Sequence, residues 1–211
     1  MTVFNAMVHA DPASAKTALR VFVRNQRKQL VREHPEADWM VAEVGRAPLA
    51  ARFPDPAGKI VALYYGLGAE VSPRILADQL AEAGWTLALP SVEGEAGQMV
   101  FRRWDRDRPL VHDAIGLNAP PRDCEALEPD LVVVPLLAFD RGGGRLGQGG
   151  GYYDRALAAL RERGEVFVLG LGYSGQETAD LPHEPHDQAL DAILTEKEYI
   201  AVNDTGPEGS L

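Results

Sequence analysis

The sequence has one cysteine, Cys124, in 211 residues. No intrachain disulfide can form, so the fold has no need of an oxidising compartment, and Cys124 reads as a half-buried loop thiol. No apolar run approaches the ~20 residues that cross a bilayer. The opening stretch, MTVFNAMVHADPAS, lacks the basic start and apolar block of a secretory signal. Cytoplasmic residence is the expectation. Excess positive charge is missing as well, since the formal net charge is −10. That balance argues against nucleic acid or an anionic membrane as a partner. It leaves room for a small anionic ligand, because a local group of basic residues can dominate one pocket.

What is present is enough for a core, with 45% hydrophobic residues. Asp11-Pro12-Ala13-Ser14 reads as a helix start, and the helix is expected to run to about Glu33. Its apolar stripe is Leu19, Phe22, Val23 and Leu30. Beside that stripe, Lys16, Arg20, Arg24 and Arg27 share a narrow arc. Such a row is either a solvated face or a surface that meets an anion. Helices are expected over about 37–51, 73–83 and 152–163. Strands are expected over about 60–65, 86–89, 99–104, 131–139, 166–170 and 192–195. The nearly all-apolar run from Leu131 to Phe139 suits a strand buried on both faces of a parallel sheet.

The alternation predicts an α/β fold: a mostly parallel open sheet flanked by helices on both faces, one domain over 1–202, and a flexible tail over 203–211. In such sheets the ligand lies beyond the carboxyl ends of the strands.

That geometry draws the eye to LVVVPLLAFDRGGGRLGQGGGYYDRAL, residues 131–157. An apolar strand, a glycine-rich loop and a helix start make a cradle for phosphate. Gly142, Gly144 and Gly147 match a dinucleotide fingerprint literally, but the helix opens too late for them. A P-loop is excluded, because no Gly-Lys-Ser/Thr follows. A different phosphate loop remains, in which Arg145 and the N–H groups of Gly147–Gly151 hold oxygens. A purely structural turn would need far fewer glycines. Asp154 either caps the helix or holds Mg²⁺. The His183-Glu184-Pro185-His186-Asp187 stretch and Asp191 offer further carboxylates, and zinc is disfavoured there for want of nitrogen or sulfur ligands.

Taken together these residues resemble the 5-formyltetrahydrofolate cyclo-ligases. The most specific block is Pro135-x-x-Ala138-Phe139-Asp140-x-x-Gly143-x-Arg145-Leu146-Gly147-x-Gly149-x-Gly151-Tyr152-Tyr153-Asp154. Lys16-x-x-Leu19-Arg20, Glu70, Leu89-Pro90, Gly172-Tyr173-x-x-Gln176, His186-Asp187 and Thr195-Glu196 stand around it in order. The resemblance implies ATP- and Mg²⁺-dependent closure of 5-formyltetrahydrofolate, with or without a polyglutamate tail, to 5,10-methenyltetrahydrofolate. It implies ATP binding by Lys16, Arg20 and the run Arg145, Leu146, Gly147, Gln148, Gly149, Gly150, Gly151, Tyr152 and Tyr153. It implies folate binding by Tyr65, Glu70 and Gln148–Tyr152, catalysis by Arg145 and Tyr152, and Mg²⁺ on Asp154 and Asp191. A monomer is expected. Gln148 stands where many relatives carry a basic or aromatic residue, and Ala119 where a glutamate is common. The rival readings are a folate-binding protein without turnover and another nucleotide or sugar-phosphate enzyme on a related sheet.

Overall fold

A computed structural model describes residues 12–94, 96–179 and 181–202. The expected Asp11 cap and the expected tail over 203–211 lie outside the described residues. The helices are α1 (Pro12–Glu33), α2 (Ala37–Arg52), α3 (Arg74–Glu82) and α4 (Tyr152–Arg163). The main strands are β1 (Ile60–Ala62), β2 (Thr86–Glu93), β3 (Gln98–Arg103), β7 (Leu131–Pro135), β10 (Phe167–Leu171), β11 (Ala192–Leu194) and β12 (Tyr199–Ala201). Short pairs form at β4 (Val111–His112) with β5 (Asn118–Ala119), and at β8 (Ala138–Phe139) with β9 (Arg145–Leu146), while β6 (Ala126–Leu127) joins β3.

The sheet has eight strands in the order β12-β11-β10-β7-β1-β2-β3-β6. The inner run β11-β10-β7-β1-β2 is parallel. β12, β3 and β6 extend it antiparallel on the two edges. Chain order reverses between β1 and β7, so a crevice opens beyond their carboxyl ends.

Strand periodicity builds two cores from the same strands. Val61, Leu87, Leu89, Leu131, Val133, Leu169 and Leu194 pack on one side with Leu30 of α1, Val41 of α2 and Leu76 of α3. Their neighbours Ala62, Ala88, Val132, Val134, Val168 and Ile193 pack on the other with Leu157 of α4. Helices therefore cover both faces, as expected.

Local expectations need correction: β1 stops at Ala62 rather than Tyr65, and β2 runs on to Glu93 rather than ending at Leu89. Phe22 is not part of the core stripe of α1, for it is 64% exposed. The buried face of that helix instead runs through Lys16, Val23, Arg27 and Leu30, so it mixes cations with aliphatics. The strand expected to continue to Phe139 breaks after Pro135. The carbonyls of Leu136 and Leu137 turn out of the ladder and accept the buried Gln176 amide at 2.9 Å each. The chain then forms the β8–β9 hairpin, which brings the glycine loop back over the crevice.

Candidate active site

The glycine run divides by function. Its first part is a tight turn in which Asp140 Oδ1 accepts the Gly144 N–H at 2.9 Å. A Cβ on Gly144 would collide with the Asp140 carboxylate, so this glycine is needed for the turn. The first two glycines of the literal dinucleotide match, Gly142 and Gly144, thus belong to the hairpin turn. The second part, Gly147–Gly151, lines a cavity of about 560 Å³ at the carboxyl edge of the sheet. Gly149 has φ +103°, and a Cβ there would lie 3.3 Å from Arg20 Cζ. Glycine lets the loop pass under that guanidinium.

Helix α4 begins at this point, behind Gly151, with no side-chain cap on its first N–H groups. Uncapped N–H groups and the positive end of the helix dipole favour an anion here. Asp154, in the first turn, does not cap them. Its Oδ1 accepts Arg145 Nη2 at 2.6 Å and the Gln188 N–H at 3.2 Å. The Arg145 side chain is 4% exposed. Its Nε is buried without a hydrogen-bond partner among the described residues. A buried guanidinium with a donor to spare, on a cavity wall, is suited to an oxyanion.

The basic row of α1 divides: Arg20 and the exposed Arg24 reach the glycine loop, while the buried Lys16 and Arg27 pair with carboxylates. Lys16 is 4% exposed, and its ammonium binds Glu184 at 2.9 Å and Asp187 Oδ1 at 2.7 Å. Arg20 Nε donates to the Gly147 carbonyl at 2.9 Å, and Arg24 Nη2 donates to Gln148 Oε1 at 3.0 Å. Arg27 stands 3.5 Å from Glu70. Tyr65, Glu70, Arg145, Gln148, Tyr152, Tyr153 and Asp154 all line the cavity with Lys16 and Arg20. Burial, and then the nearby Glu70, push the Tyr153 phenol well above its ordinary range, so it stays protonated.

Asp191 does not join them and is corrected as a partner of Asp154. It precedes the first residue of β11, at the amino edge of the sheet. Its Oδ2 accepts the Val168 N–H at 2.7 Å and Arg161 Nη2 at 3.3 Å. The residue of that segment that reaches Asp154 is Gln188, through its backbone. The two histidines of the 183–187 stretch turn to different carboxylates, His183 to Asp140 at 3.4 Å and His186 to Asp187 at 4.0 Å.

Sequence reasoning missed the apolar mouth. Leu67, Ile115 and Leu117 are exposed, as is Tyr65, and all four line the cavity. For Ile115 and Leu117 the available signal was apolar residues in the irregular, proline-rich 105–129 stretch. Asp113 organises that lip, accepting N–H groups of Val92, Ile115 and Leu117 at 2.9–3.0 Å. The cavity therefore joins a charged, N–H-rich end to an apolar mouth. That suits a ligand with both a polyanionic part and a flat apolar part.

A sequence model described as the 5-formyltetrahydrofolate cyclo-ligase family matches residues 12–196. The chain belongs to this family. A 5-formyltetrahydrofolate cyclo-ligase from Mycolicibacterium smegmatis is 35% identical over 150 residues, covering 68% of this chain and 76% of the relative. One from Escherichia coli K12 is 28% identical over 178 residues, covering 82% and 96%. Among solved structures, the Aquifex aeolicus 5,10-methenyltetrahydrofolate synthetase superposes with a TM-score of 0.72 at 31% identity, covering 90% of this chain and 93% of that one. The Mycoplasma pneumoniae 5,10-methenyltetrahydrofolate synthetase follows at 0.65 and 26%, covering 86% and 98%. The cyclo-ligase match spans every cavity residue named above. No helix among the described residues is long and apolar enough to cross a membrane.

Proposed function

We propose that this chain converts 5-formyltetrahydrofolate and ATP to 5,10-methenyltetrahydrofolate, ADP and phosphate. The observation that carries the reading is the buried, partly unpaired Arg145 beside the uncapped start of α4, in one cavity with Lys16, Arg20 and Glu70. The formyl oxygen attacks the γ-phosphorus, forming an O–P bond as the bond to ADP breaks. An inert amide oxygen becomes a leaving group. The N10 lone pair then attacks the activated carbon. N10 gives up its proton, and phosphate departs with the C–O bonding electrons.

The protein's share is positioning and charge stabilisation. Arg145 offers a planar fork to two phosphate oxygens, a geometry lysine lacks. The N–H groups of Gly147–Gly151 and of the first turn of α4 take further oxygens. Lys16 and Arg20 close over the triphosphate from α1. Glu70 accepts from the amino and ring N–H groups of the pterin, and Tyr65 lies against it. Tyr152 stands between the two substrates.

The cavity carries five carboxylates, Glu70, Asp113, Asp154, Glu184 and Asp187, against the cations Lys16, Arg20 and Arg145. A triphosphate entering that balance calls for a divalent cation. Magnesium is commonly held by one or two carboxylates plus substrate phosphates, so Asp154 fits as a ligand without Asp191. Bound there, Mg²⁺ would neutralise phosphate charge. The reading takes the protein as a cytoplasmic monomer, active as one domain, and leaves room at the open mouth for a polyglutamate tail.

The test is a spectrophotometric assay with 5-formyltetrahydrofolate, ATP and Mg²⁺. Growth of the near-ultraviolet band of the methenyl product, absent when ATP is omitted, is expected. A folded protein that binds folate and never forms the band would be a binding protein instead.

A further inference from the structure

Of the basic row, Arg24 and Arg27 have no place on the cavity wall, and of these two only Arg27 is buried. Arg27 lies one layer behind. Its side chain is 9% exposed, and that of Glu70, 3.5 Å away, is 7% exposed. Glu70 itself faces the cavity. Its Oε2 accepts the Leu67 N–H at 3.0 Å, and its Oε1 meets Arg27 Nη1 and, at 3.4 Å, Gln148 Nε2.

A buried arginine kept for stability would be expected to satisfy its donors. Arg27 does not. Its hydrogen bond, to the Leu136 carbonyl, is long at 3.4 Å, and its Nε is buried without a partner among the described residues. What the position retains is a charge aimed at one carboxylate. Nearby, Tyr64 gives its hydroxyl to the Val71 carbonyl, so it offers Glu70 no competing donor.

We infer that Arg27 is a positioning residue for the folate half of the reaction: it holds the Glu70 carboxylate against the cavity wall, where the pterin N–H groups meet it. The inference rests on the proposed assignment of Glu70 to the pterin. Arg27 touches neither substrate. It acts through Glu70 alone, so its loss should weaken folate binding and leave ATP binding as it was.

The experiment is a double-mutant cycle on dissociation constants, read by calorimetry so that turnover is not required. Arg27→Met keeps the length and removes the charge, Glu70→Gln removes the partner charge, and the double variant removes both. Each is titrated with 5-formyltetrahydrofolate and with ATP. Arg27→Met should raise the folate constant about tenfold, with ATP changed less than twofold. In the Glu70→Gln background the same substitution should add less than threefold. Arg27→Lys should recover most of the loss. If Arg27→Met does not fold, Arg27→Lys and the double variant carry the test, since neither leaves a lone buried charge. The double variant should then bind folate within threefold of Glu70→Gln, and Arg27→Lys should stay near wild type.

Multiplying effects, or equal losses for folate and ATP, would make Arg27 a structural residue and overturn the inference. So would a Glu70→Gln variant that binds folate normally, since Arg27 would then have nothing to position. A wild-type protein that binds no folate would overturn the proposed function itself, and the inference with it.

Discussion

At the first turn of α4, Asp154 takes the Arg145 guanidinium at 2.6 Å; at its last turn, Arg161 reaches Asp191 at 3.3 Å. The two pairs have the same chemistry and differ in surroundings. Arg145 is 4% exposed, with an unpaired buried donor, above the carboxyl ends of the strands. Arg161 is 30% exposed and Asp191 is 40% exposed, near the amino ends of β10 and β11. The strands fix which end of the helix can meet a ligand. At one end the ion pair lines the cavity, while at the other it lies at the amino edge of the sheet.

The largest break in that contrast should come from Arg145. Replacing it by alanine should lower turnover by about 10²–10³-fold, the usual cost of one donor to developing charge. Melting should fall by only a few degrees, because Asp154 keeps the Gln188 N–H. Steady-state kinetics beside a thermal melt decides it. Proportionate loss of both would make Arg145 a second Arg161.

The next test sets the two aspartates against each other. Asp154→Asn should raise the Mg²⁺ needed for half-maximal rate by about tenfold, or ~1.4 kcal/mol. Asp191→Ala should leave the Mg²⁺ titration alone. It should instead cost about 1–3 kcal/mol of stability, since the Val168 N–H loses its acceptor. An Asp191 variant with a shifted Mg²⁺ titration would undo the distinction between the two ends.

The family resemblance brings Asp154 and Asp191 forward as a pair, and the residues themselves offer both only as candidate carboxylates. The sequence could not say that one lies after a strand and the other before one, at opposite edges of the sheet. The bounds of α4 were legible, since Gly151 and Gly164 flank an amphipathic run. The end of β7 was not, because it depends on a distant Gln176 that takes up the Leu136 and Leu137 carbonyls. The core face of α1 misled for a related reason. Phe22 carries hydrophobicity but stays exposed, whereas Lys16 and Arg27 are buried where carboxylates from elsewhere in the chain meet them. Spacing reveals a face of a helix, and its partners decide whether that face is covered.

The smallest expected effect concerns Asp187, on the cavity side of the contrast. Burial by itself would raise its carboxyl, but the Lys16 ammonium and the Glu184 N–H outweigh that and hold it below the ordinary aspartate range. A group lowered on folding stabilises the protein above its unfolded value, about 4 for aspartate, and loses that contribution as pH falls through the folded value. Stability should therefore decline below about pH 4 partly through this carboxyl. Asp187→Asn should be slightly less stable at pH 7 and should show a shallower decline in that acid window. Urea unfolding at a series of pH values measures the slope, and an unchanged slope would remove Asp187 from the acid response. Because Lys16 is the cation involved, protonating Asp187 also loosens a donor assigned to the triphosphate. The acid window should accordingly weaken ATP binding more in the wild type than in the Asn variant, in which that tether is already cut.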